Sequence, residues 1–287
     1  MTSANPTILA VGAAGRFAGL VVPELARRGA RVRGLVRRPS EADDVRKHGA
    51  AEVAIGDLTD RVSLDSALKG VDSVFYIAPA FLHNEAEVGK GMVDAAKQAG
   101  VRRFVFSSVI DPVISVLINH SAKAPVEEAI IVSGMEYVLL QPTVFFQNLA
   151  GSWPRVVQTG AYAEPWSAET RFSRVDYRDV AEAAAIALME DRLTYGTYQL
   201  CAEGNLNRHD VVALMSEVLG REVVSHDVDP AVADPPSPDG KPSPLREMFD
   251  WYNKRGLLGN ALTLRAILGR EPRTLRAFIE ELATQAA

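Results

Sequence analysis

The sequence holds a single cysteine, Cys201, among 287 residues, which excludes an intramolecular disulfide framework. We therefore expect the protein to work in a reducing compartment. Its five histidines show no metal-ligand spacing with one another or with Cys201, so we predict no metal site. No apolar run approaches the roughly 20 residues that span a bilayer. The first residues also lack the basic and apolar regions of a signal peptide, and we expect a cytoplasmic location.

An excess of positive charge is absent as well. The chain has 31 basic and 36 acidic side chains, for a net charge of −5. A protein whose main partner is nucleic acid needs a basic surface to neutralise phosphates, and this composition argues against one. Hydrophobic residues make up 47% and charged residues 23%, which is typical of a globular protein with a sizeable core. We therefore expect a soluble monomer or homodimer whose partner is a small-molecule substrate, with no nucleic acid and no membrane.

The start of the chain carries the most informative pattern. An apolar run at Ile8–Val11 leads into the glycine-rich stretch GAAGRFAG, and a helical pattern follows. A second apolar run at Val32–Val36 comes next. Strand, glycine turn, helix and strand are the order in which a mononucleotide half-site is built. The pattern therefore predicts a nucleotide site at this turn.

Each position of the glycine motif has a physical reason. Gly12 permits the tight turn that leaves the strand, and Gly15 lets the backbone come close to a pyrophosphate. That pyrophosphate would then lie over the amide groups at the helix N-terminus. The third position is Ala18, whose methyl group is still small enough for the contact between helix and strand.

The end of the second strand indicates which nucleotide binds. A chain that selects NAD usually places Asp or Glu there to hold the ribose 2′-hydroxyl. Here Arg37 and Arg38 follow the strand, and the first acid is Glu41. Two guanidiniums suit a 2′-phosphate, because each can bind it through two parallel charge-assisted hydrogen bonds, and Arg16 adds a third positive charge. The alternative is that these arginines are solvated surface residues; we predict NADP(H) as the cofactor.

Further along, apolar runs alternate with helical patterns up to Pro142. This alternation predicts an α/β fold, a doubly wound parallel sheet of the Rossmann type with helices on both faces. Asp57, after the third predicted strand, is placed either at the adenine edge of the site or as a turn or cap residue before the next helix. The predicted strands are 51–55, 71–78, 101–106 and 137–140, and the predicted helices are 63–68, 84–99 and 122–133.

Beyond Pro142 the pattern becomes looser and more aromatic. Phe145, Phe146, Trp153 and Trp166 lie in segments without regular periodicity. Core packing is one interpretation of these aromatic residues, and an apolar substrate pocket is the other. The segment 229–244 holds six prolines, which forbids regular structure and indicates a loop or lid.

Several of these motifs together resemble the NmrA-like atypical short-chain dehydrogenases, and the likeness covers nearly the whole chain. It is carried by the glycine turn, Arg37-Arg38-Pro39, Gly56-Asp57-Leu58, the run from Lys123 to Pro142, and Leu268-Gly269-Arg270-Glu271-Pro272. One departure is Gln141, where the family usually has Arg.

The resemblance implies an NADP(H)-binding Rossmann domain and a small C-terminal α/β substrate domain. We place the first at residues 1–142. The second takes most of 143–287, with a segment at about 171–200 returning to the Rossmann domain. Members of this family include quinone and dye reductases, and also regulators that bind the dinucleotide without turning it over.

The resemblance also bears on the chemistry. In ordinary short-chain dehydrogenases a Tyr lies four residues before a Lys, and the lysine lowers the pKa of the tyrosine so that the phenol serves as general acid. Here Lys123 is present, but the position four before it is Asn119. His120 is a candidate replacement as proton donor, or a cap or loop histidine. Ser107 and Ser108, after the fifth predicted strand, lie where substrate or nicotinamide would pass, or are strand-end caps.

Two hypotheses follow. The first is an NADPH-dependent oxidoreductase that transfers hydride to a quinone-like or conjugated carbonyl compound, which needs little acid assistance. The second is a non-catalytic redox sensor that binds NADP(H) and acts through a partner protein. A retained Lys123 with an aromatic pocket favours the first, and the missing tyrosine favours the second.

The candidate site residues form three groups. The candidate catalytic residues are Lys123, His120 and Ser108. The candidate substrate residues are Phe145, Phe146, Trp153 and Trp166. The candidate cofactor-binding residues are Gly12, Ala14, Gly15, Arg16, Phe17, Arg37, Arg38, Asp57, Leu58, Ala78, Pro79, Ser107, Lys123 and Pro142.

Overall fold

The computed structural model describes residues 5–79, 82, 84–228 and 244–286, so residues 229–243 of the predicted proline-rich loop lie outside it. The chain forms two compact units, and each is built from separate stretches of sequence. The first unit comprises Met1–Val113, Asn119–Gln141 and Val180–Tyr198. The second comprises Ile114–Ile118, Pro142–Asp179 and Gln199–Ala287.

Strands and helices alternate through the first half of the chain. The strands are β1 (Thr7–Val11), β2 (Arg31–Val36), β3 (Glu52–Ile55), β4 (Ser73–Ile77), β5 (Arg103–Ser107), β6 (Glu136–Pro142), β7 (Val144–Phe145), β8 (Ala161–Glu164), β9 (Phe172–Val175), β10 (Gly196–Leu200), β11 (Asn205–Leu206) and β12 (Val224–Asp227). The helices are α1 (Ala18–Arg27), α2 (Ala42–Lys47), α3 (Arg61–Ala67), α4 (Glu85–Gln98), α5 (Ile118–Ser121), α6 (Ala124–Ile131), α7 (Leu149–Thr159), α8 (Tyr177–Met189), α9 (Arg208–Leu219), α10 (Pro244–Arg255), α11 (Leu262–Leu268) and α12 (Leu275–Ala286).

The main sheet of the first unit has the strand order β10-β6-β5-β4-β1-β2-β3. All pairings among β1 to β6 are parallel. The chain leaves β1 toward β2 and β3 on one side, and then returns to β4 and β5 on the other. The reversal of strand order therefore falls between β1 and β4, which is the place where open α/β sheets bind ligands at the strand carboxyl ends. The predicted doubly wound parallel sheet is confirmed.

Burial on both faces explains why the central strands read as continuous apolar runs. Ile8, Leu9 and Ala10 in β1 are fully buried, as are Phe75 and Tyr76 in β4. One face of the sheet packs against α3, α4 and α6 in a core that includes Leu9 and Tyr76. This core fixes the strand ends, where the loops carry the candidate site.

Two predicted helices differ from the observed ones. The helix predicted at 122–133 is α6, which begins at Ala124 and ends at Ile131, with Pro125 in its first turn, and a separate short helix, α5, precedes it. A proline is well suited to a first turn, because its missing N–H would have no helical partner there. The helix predicted at 63–68 begins earlier, at Arg61, because Asp60 caps it by accepting a hydrogen bond from the backbone N–H of Val62.

The second unit has two small sheets, β11-β9-β7 and β12-β8. Its core contains residues of α7, α9 and α12, among them Val156, Met215 and Ile279. Among the described residues, no helix is both long and apolar enough to cross a bilayer. Over the same part of the chain, no group of three or more His, Cys, Asp or Glu side chains is placed to hold a metal ion.

Candidate functional site

The glycine turn leaves β1 and enters α1. Gly12 has a φ of 71°, a conformation that favours glycine, and its carbonyl accepts a 2.7 Å hydrogen bond from the N–H of Gly15. A Cβ atom at Gly15 would lie only 2.9 Å from the Gly12 carbonyl oxygen. In the described structure Phe17, the N-cap residue of α1, makes no side-chain hydrogen bond to the helix. The turn therefore presents exposed backbone, without a side-chain cap, at a helix N-terminus.

Beside this turn a pocket opens at the carboxyl ends of the parallel strands. Its walls come from the ends of β1, β2 and β4 and from the loop after β3, so four chain segments meet there. The lining residues are Val11, Gly12, Leu35, Val36, Arg37, Gly56, Asp57, Leu58, Thr59, Ile77, Pro79 and Leu82. Apolar walls with a few polar groups are typical of a site for a small molecule or cofactor.

Asp57 is one of the polar residues that line this pocket. Its Oδ1 accepts hydrogen bonds from the backbone N–H and the hydroxyl of Thr59, at 2.9 and 2.7 Å. These bonds, with a smaller contribution from the Arg37 guanidinium, lower the pKa of the carboxyl group. Asp57 is therefore a turn residue that also lines the pocket, while Asp60 is the helix cap.

The two arginines that follow β2 each have an acidic partner. The Nε of Arg37 lies 3.2 Å from Oδ2 of Asp57, and the Arg37 side chain is 82% exposed. Arg38 donates through Nε and Nη2 to Oε1 of Glu41, at 2.9 and 2.6 Å, and this lowers the pKa of Glu41. Both guanidiniums lie at the solvent surface, where such pairs are weak and exchange readily for other anions.

The side chain of Lys123 is fixed at the start of α6. Its Nζ donates to Oε1 of Glu85 at 2.6 Å and to the carbonyl oxygen of Asn119 at 3.0 Å. The Glu85 side chain is 3% exposed and that of Lys123 is 13% exposed. The ammonium is therefore held by a buried carboxylate on α4.

His120 is fully buried and lies in the short helix α5 that precedes α6. Its Nδ1 lies 3.2 Å from the carbonyl oxygen of Asp111. Burial lowers the pKa of the imidazole to about 4, and the charge of Lys123 adds to this effect. The ring is therefore neutral at pH 7, which argues against His120 as a general acid.

Ser107 and Ser108 lie at the end of β5, as the sequence predicts, and both are buried. The backbone N–H of Ser108 donates to the carbonyl of Leu140 at 2.8 Å. Within the described residues its hydroxyl oxygen is buried and has no hydrogen-bond partner. A buried hydroxyl without a partner can still donate one hydrogen bond and accept another.

The four aromatic candidates all belong to the second unit, as does Pro142. Phe146 and Trp153 are 2% and 4% exposed and are part of that unit's core. Phe145 is partly exposed and packs edge-on against Tyr177. Trp166 is also partly exposed and contacts an aromatic group that includes Phe172, Phe249 and Tyr252. The first two aromatic candidates are thus packed as core residues, while the other two keep some exposed surface.

The pocket and the sequence prediction overlap in part. Predicted residues that line it are Gly12, Arg37, Asp57, Leu58 and Pro79. Predicted cofactor residues outside its lining are Ala14, Gly15, Arg16, Phe17, Arg38, Ala78, Ser107, Lys123 and Pro142. The sequence reasoning did not single out Leu35, Val36, Thr59 or Leu82. For Thr59 a signal was available, because a Thr two residues after an Asp that ends a strand suits a side-chain turn.

The helix pair that carries Glu85 and Lys123 is closely packed, which leads to a testable result. A Cβ atom at Gly89 in α4 would lie 2.5 Å from Cγ2 of the buried Val126 in α6. We expect Gly89→Ala to lower the free energy of unfolding by about 1–3 kcal/mol, because the methyl group overpacks this contact. The matched control is Gly91→Ala in the same helix, where a Cβ meets nothing within 4 Å.

Gly91→Ala should be neutral or should stabilise the protein by about 0.5–1 kcal/mol, since alanine is the better helix former. Thermal and urea unfolding followed by circular dichroism measures both variants. Equal stabilities of the two alanine variants would contradict this account of the helix contact.

A glycine turn at the switch point of a doubly wound sheet, with a pocket beside it, defines a dinucleotide-binding α/β protein as the class. The chain belongs to the NmrA-like family, whose model matches residues 4–281. The predicted family is thereby confirmed.

Three relatives illustrate the similarity. An NAD(P)H azoreductase from Xenophilus azovorans is 28% identical over 281 residues, covering 94% of this chain and 96% of that protein. The crystal structure of an NADPH-dependent quinone oxidoreductase from Escherichia coli, complexed with NADPH, has a TM-score of 0.83 at 23% identity, covering 96% and 99% of the two chains. NmrA, a negative transcriptional regulator solved in complex with NADP, has a TM-score of 0.77 at 19% identity, covering 99% and 97%. At these identities the two solved structures show the fold alone.

Proposed function

We propose that this protein is an NADPH-dependent oxidoreductase that transfers a hydride to a quinone-like or conjugated small molecule. The observation that carries the proposal is the strand-end pocket beside the glycine turn, with Arg37 at its rim. The proposal is supported by relatives that are named as an azoreductase and a quinone oxidoreductase.

The residues present fit the cofactor. At Gly15 a side chain would clash with the turn itself, so the backbone stays open to a pyrophosphate there. The apolar pocket with Asp57 at one corner suits an adenosine. Arg37 and Arg38 would bind a 2′-phosphate by exchanging their half-buried acidic partners, Asp57 and Glu41, for it. Ala14, Arg16, Phe17, Leu58 and Pro79 complete this half of the proposed site, and we assign Ala78, Ser107 and Lys123 to its nicotinamide half.

When bound, NADPH supplies the hydride. The chain itself contributes a fixed cation, the ammonium of Lys123. This cation would stabilise the negative charge that develops on the acceptor oxygen. A quinone or other conjugated acceptor spreads this charge, and so the missing tyrosine matters less than it would for a simple ketone. The hydroxyl of Ser108 is available to donate a hydrogen bond, while His120 is neutral and buried.

The arginine pair should determine which dinucleotide is preferred. For Arg37→Ser/Arg38→Ser we expect the KM for NADPH to rise by about ten- to a hundredfold, since charge-assisted hydrogen bonds to a 2′-phosphate are lost. The KM for NADH should change by less than about threefold, because NADH carries no phosphate there. Arg46→Ser, at an exposed arginine of α2 paired with Asp43, is the control and should leave both values unchanged. A parallel rise for both dinucleotides would contradict this assignment.

The proposed activity is tested by NADPH consumption against a panel of quinones, azo dyes and conjugated carbonyl compounds, with NADH run alongside. We expect turnover of at least one class and a preference for NADPH. The competing function is a dinucleotide-reading regulator, which is favoured by Asn119 at the tyrosine position and by the likeness to NmrA. Tight NADPH binding without turnover of any acceptor would favour the regulator.

A further inference from the structure

Glu85 is a buried acidic residue that pairs with Lys123, and it does not line the strand-end pocket. It is the first residue of α4, and its side chain is 3% exposed. Its Oε1 accepts a hydrogen bond of 2.6 Å from Lys123. A carboxylate in the first turn of a helix also interacts favourably with the helix dipole.

The geometry around Lys123 leaves its ammonium dependent on this carboxylate. The other hydrogen-bond acceptor of Nζ is a neutral backbone carbonyl, that of Asn119. A cation at 13% exposure has lost most of its hydration, and it is strongly destabilised when its anionic partner is removed. Within the described residues, Glu85 supplies the anion that forms an ion pair with Lys123.

Among the described residues, the other titratable groups nearby do not take over this role. His120 is neutral at pH 7, and the buried phenol of Tyr76 on β4 stays protonated, because burial and the charge of Glu85 raise its pKa. On α6, both carboxylate oxygens of Glu127 accept from the side-chain amide of Gln141. On α4, the exposed Glu87 pairs with Lys90.

We propose that Glu85 is a positioning residue that holds the ammonium of Lys123 in one place. This inference rests on the proposed function, because the ammonium acts on charge that develops in the acceptor. The carboxylate does not touch the acceptor or the dinucleotide in this account. Its effect is exerted through Lys123, whose Nζ it fixes by a buried ion pair of 2.6 Å.

The test compares wild type, Glu85→Gln and Glu87→Gln at neutral pH, with saturating NADPH. Glutamine keeps the volume and one oxygen acceptor for Nζ but removes the negative charge. We expect Glu85→Gln to lower kcat by about tenfold or more, since the ammonium of Lys123 is no longer held in place by an anion. The KM for NADPH should change by less than about threefold, because the strand-end pocket and the glycine turn are unaltered.

A merely structural role for Glu85 would raise the KM for NADPH along with the loss of kcat, and that result would overturn the proposal. An unchanged kcat in Glu85→Gln would overturn it too. Glu87→Gln removes an exposed charge two residues further along α4, where the Glu87 side chain is 72% exposed. Its kcat should equal that of wild type, which makes it the matched control for a general change of charge on this helix.

A second readout does not depend on activity and separates this inference from the proposed function. Acetic anhydride acetylates accessible amines, and mass spectrometry reports the rate for each lysine, with the exposed Lys47 as internal standard. At neutral pH we expect Lys123 in Glu85→Gln to react about tenfold faster than in wild type, because its Nζ is no longer held in the ion pair with Glu85. If wild type turns over no acceptor and Lys123 still shows this acceleration, the proposed function fails while the role of Glu85 stands. Equal rates in the two proteins would refute that role.

Discussion

Replacing Lys123 by methionine is expected to lower kcat for quinone reduction by about a hundredfold or more, because the fixed cation that opposes developing negative charge is lost. The affinity for NADPH should fall by less than about tenfold, because Lys123 contributes only to the nicotinamide half of the proposed site and leaves the adenosine pocket and the phosphate-binding turn intact. Methionine keeps the apolar stem of the side chain, so that charge is the main property removed. Steady-state kinetics and a fluorescence titration with NADPH measure the two effects separately.

Lys90→Met is the matched control for this variant. Lys90 lies on α4 and is 41% exposed in its pair with Glu87, so its replacement should leave kcat unchanged. The NADPH titration also reports whether the Lys123 variant is folded, which matters because Glu85 then loses its buried partner. A folded Lys123→Met protein with wild-type kcat would show that the ion pair is structural and that charge stabilisation comes from elsewhere.

Asp179→Ala is expected to destabilise the second unit by about 3 kcal/mol. Asp179 is fully buried in the first turn of α8. It accepts hydrogen bonds from Nη2 of Arg270 at 2.8 Å, from the backbone N–H of Arg273 at 2.7 Å, and from the guanidinium of Arg273. These hydrogen bonds connect the segment between α11 and α12 to the first turn of α8. The two guanidiniums are more than one-third exposed, so water can solvate them once Asp179 is removed. The expected loss of unfolding free energy is therefore near the lower end of the range for a broken buried ion pair.

Tryptophan fluorescence is well suited to this measurement, because the three tryptophans of the chain, Trp153, Trp166 and Trp251, all lie in the second unit. Urea unfolding followed by this signal should show a lower midpoint for Asp179→Ala. The control is Glu217→Ala, which breaks an exposed pair with Arg276 in the same unit and should cost less than about 1 kcal/mol. Equal midpoints for the two variants would refute the importance of the Asp179 contacts.

The sequence was sufficient for the sheet and for the glycine turn, because both depend on local patterns. Buried parallel strands are apolar along their length, and helices between them show a different period. Gly12 was recognised because a tight turn after a strand requires it, and its φ of 71° agrees with that reason. Likewise the sequence predicts Arg37 and Arg38 as phosphate-binding residues, because the residues after the second strand have a known position in this fold.

The remaining features depend on contacts between distant residues, which no local pattern encodes. Glu85 and Lys123 are 38 positions apart, and only the packing of α4 on α6 brings them together. The burial of His120 decides its charge, and its spacing from Lys123 gave no indication of that burial. The core positions of Phe146 and Trp153 are a similar case, since an aromatic residue without a clear periodic pattern around it has the same sequence signal in a core as in a pocket.

The most direct test of the central claim is a single-turnover measurement on the protein loaded with one equivalent of NADPH. On rapid mixing with an excess of a quinone, the absorbance of the bound reduced nicotinamide is followed over time. We predict that it decays in one turnover, and that the decay is about a hundredfold slower or more in Lys123→Met. If NADPH binds but stays reduced with every quinone and azo dye tried, the oxidoreductase proposal is contradicted and the chain is a dinucleotide-binding regulator.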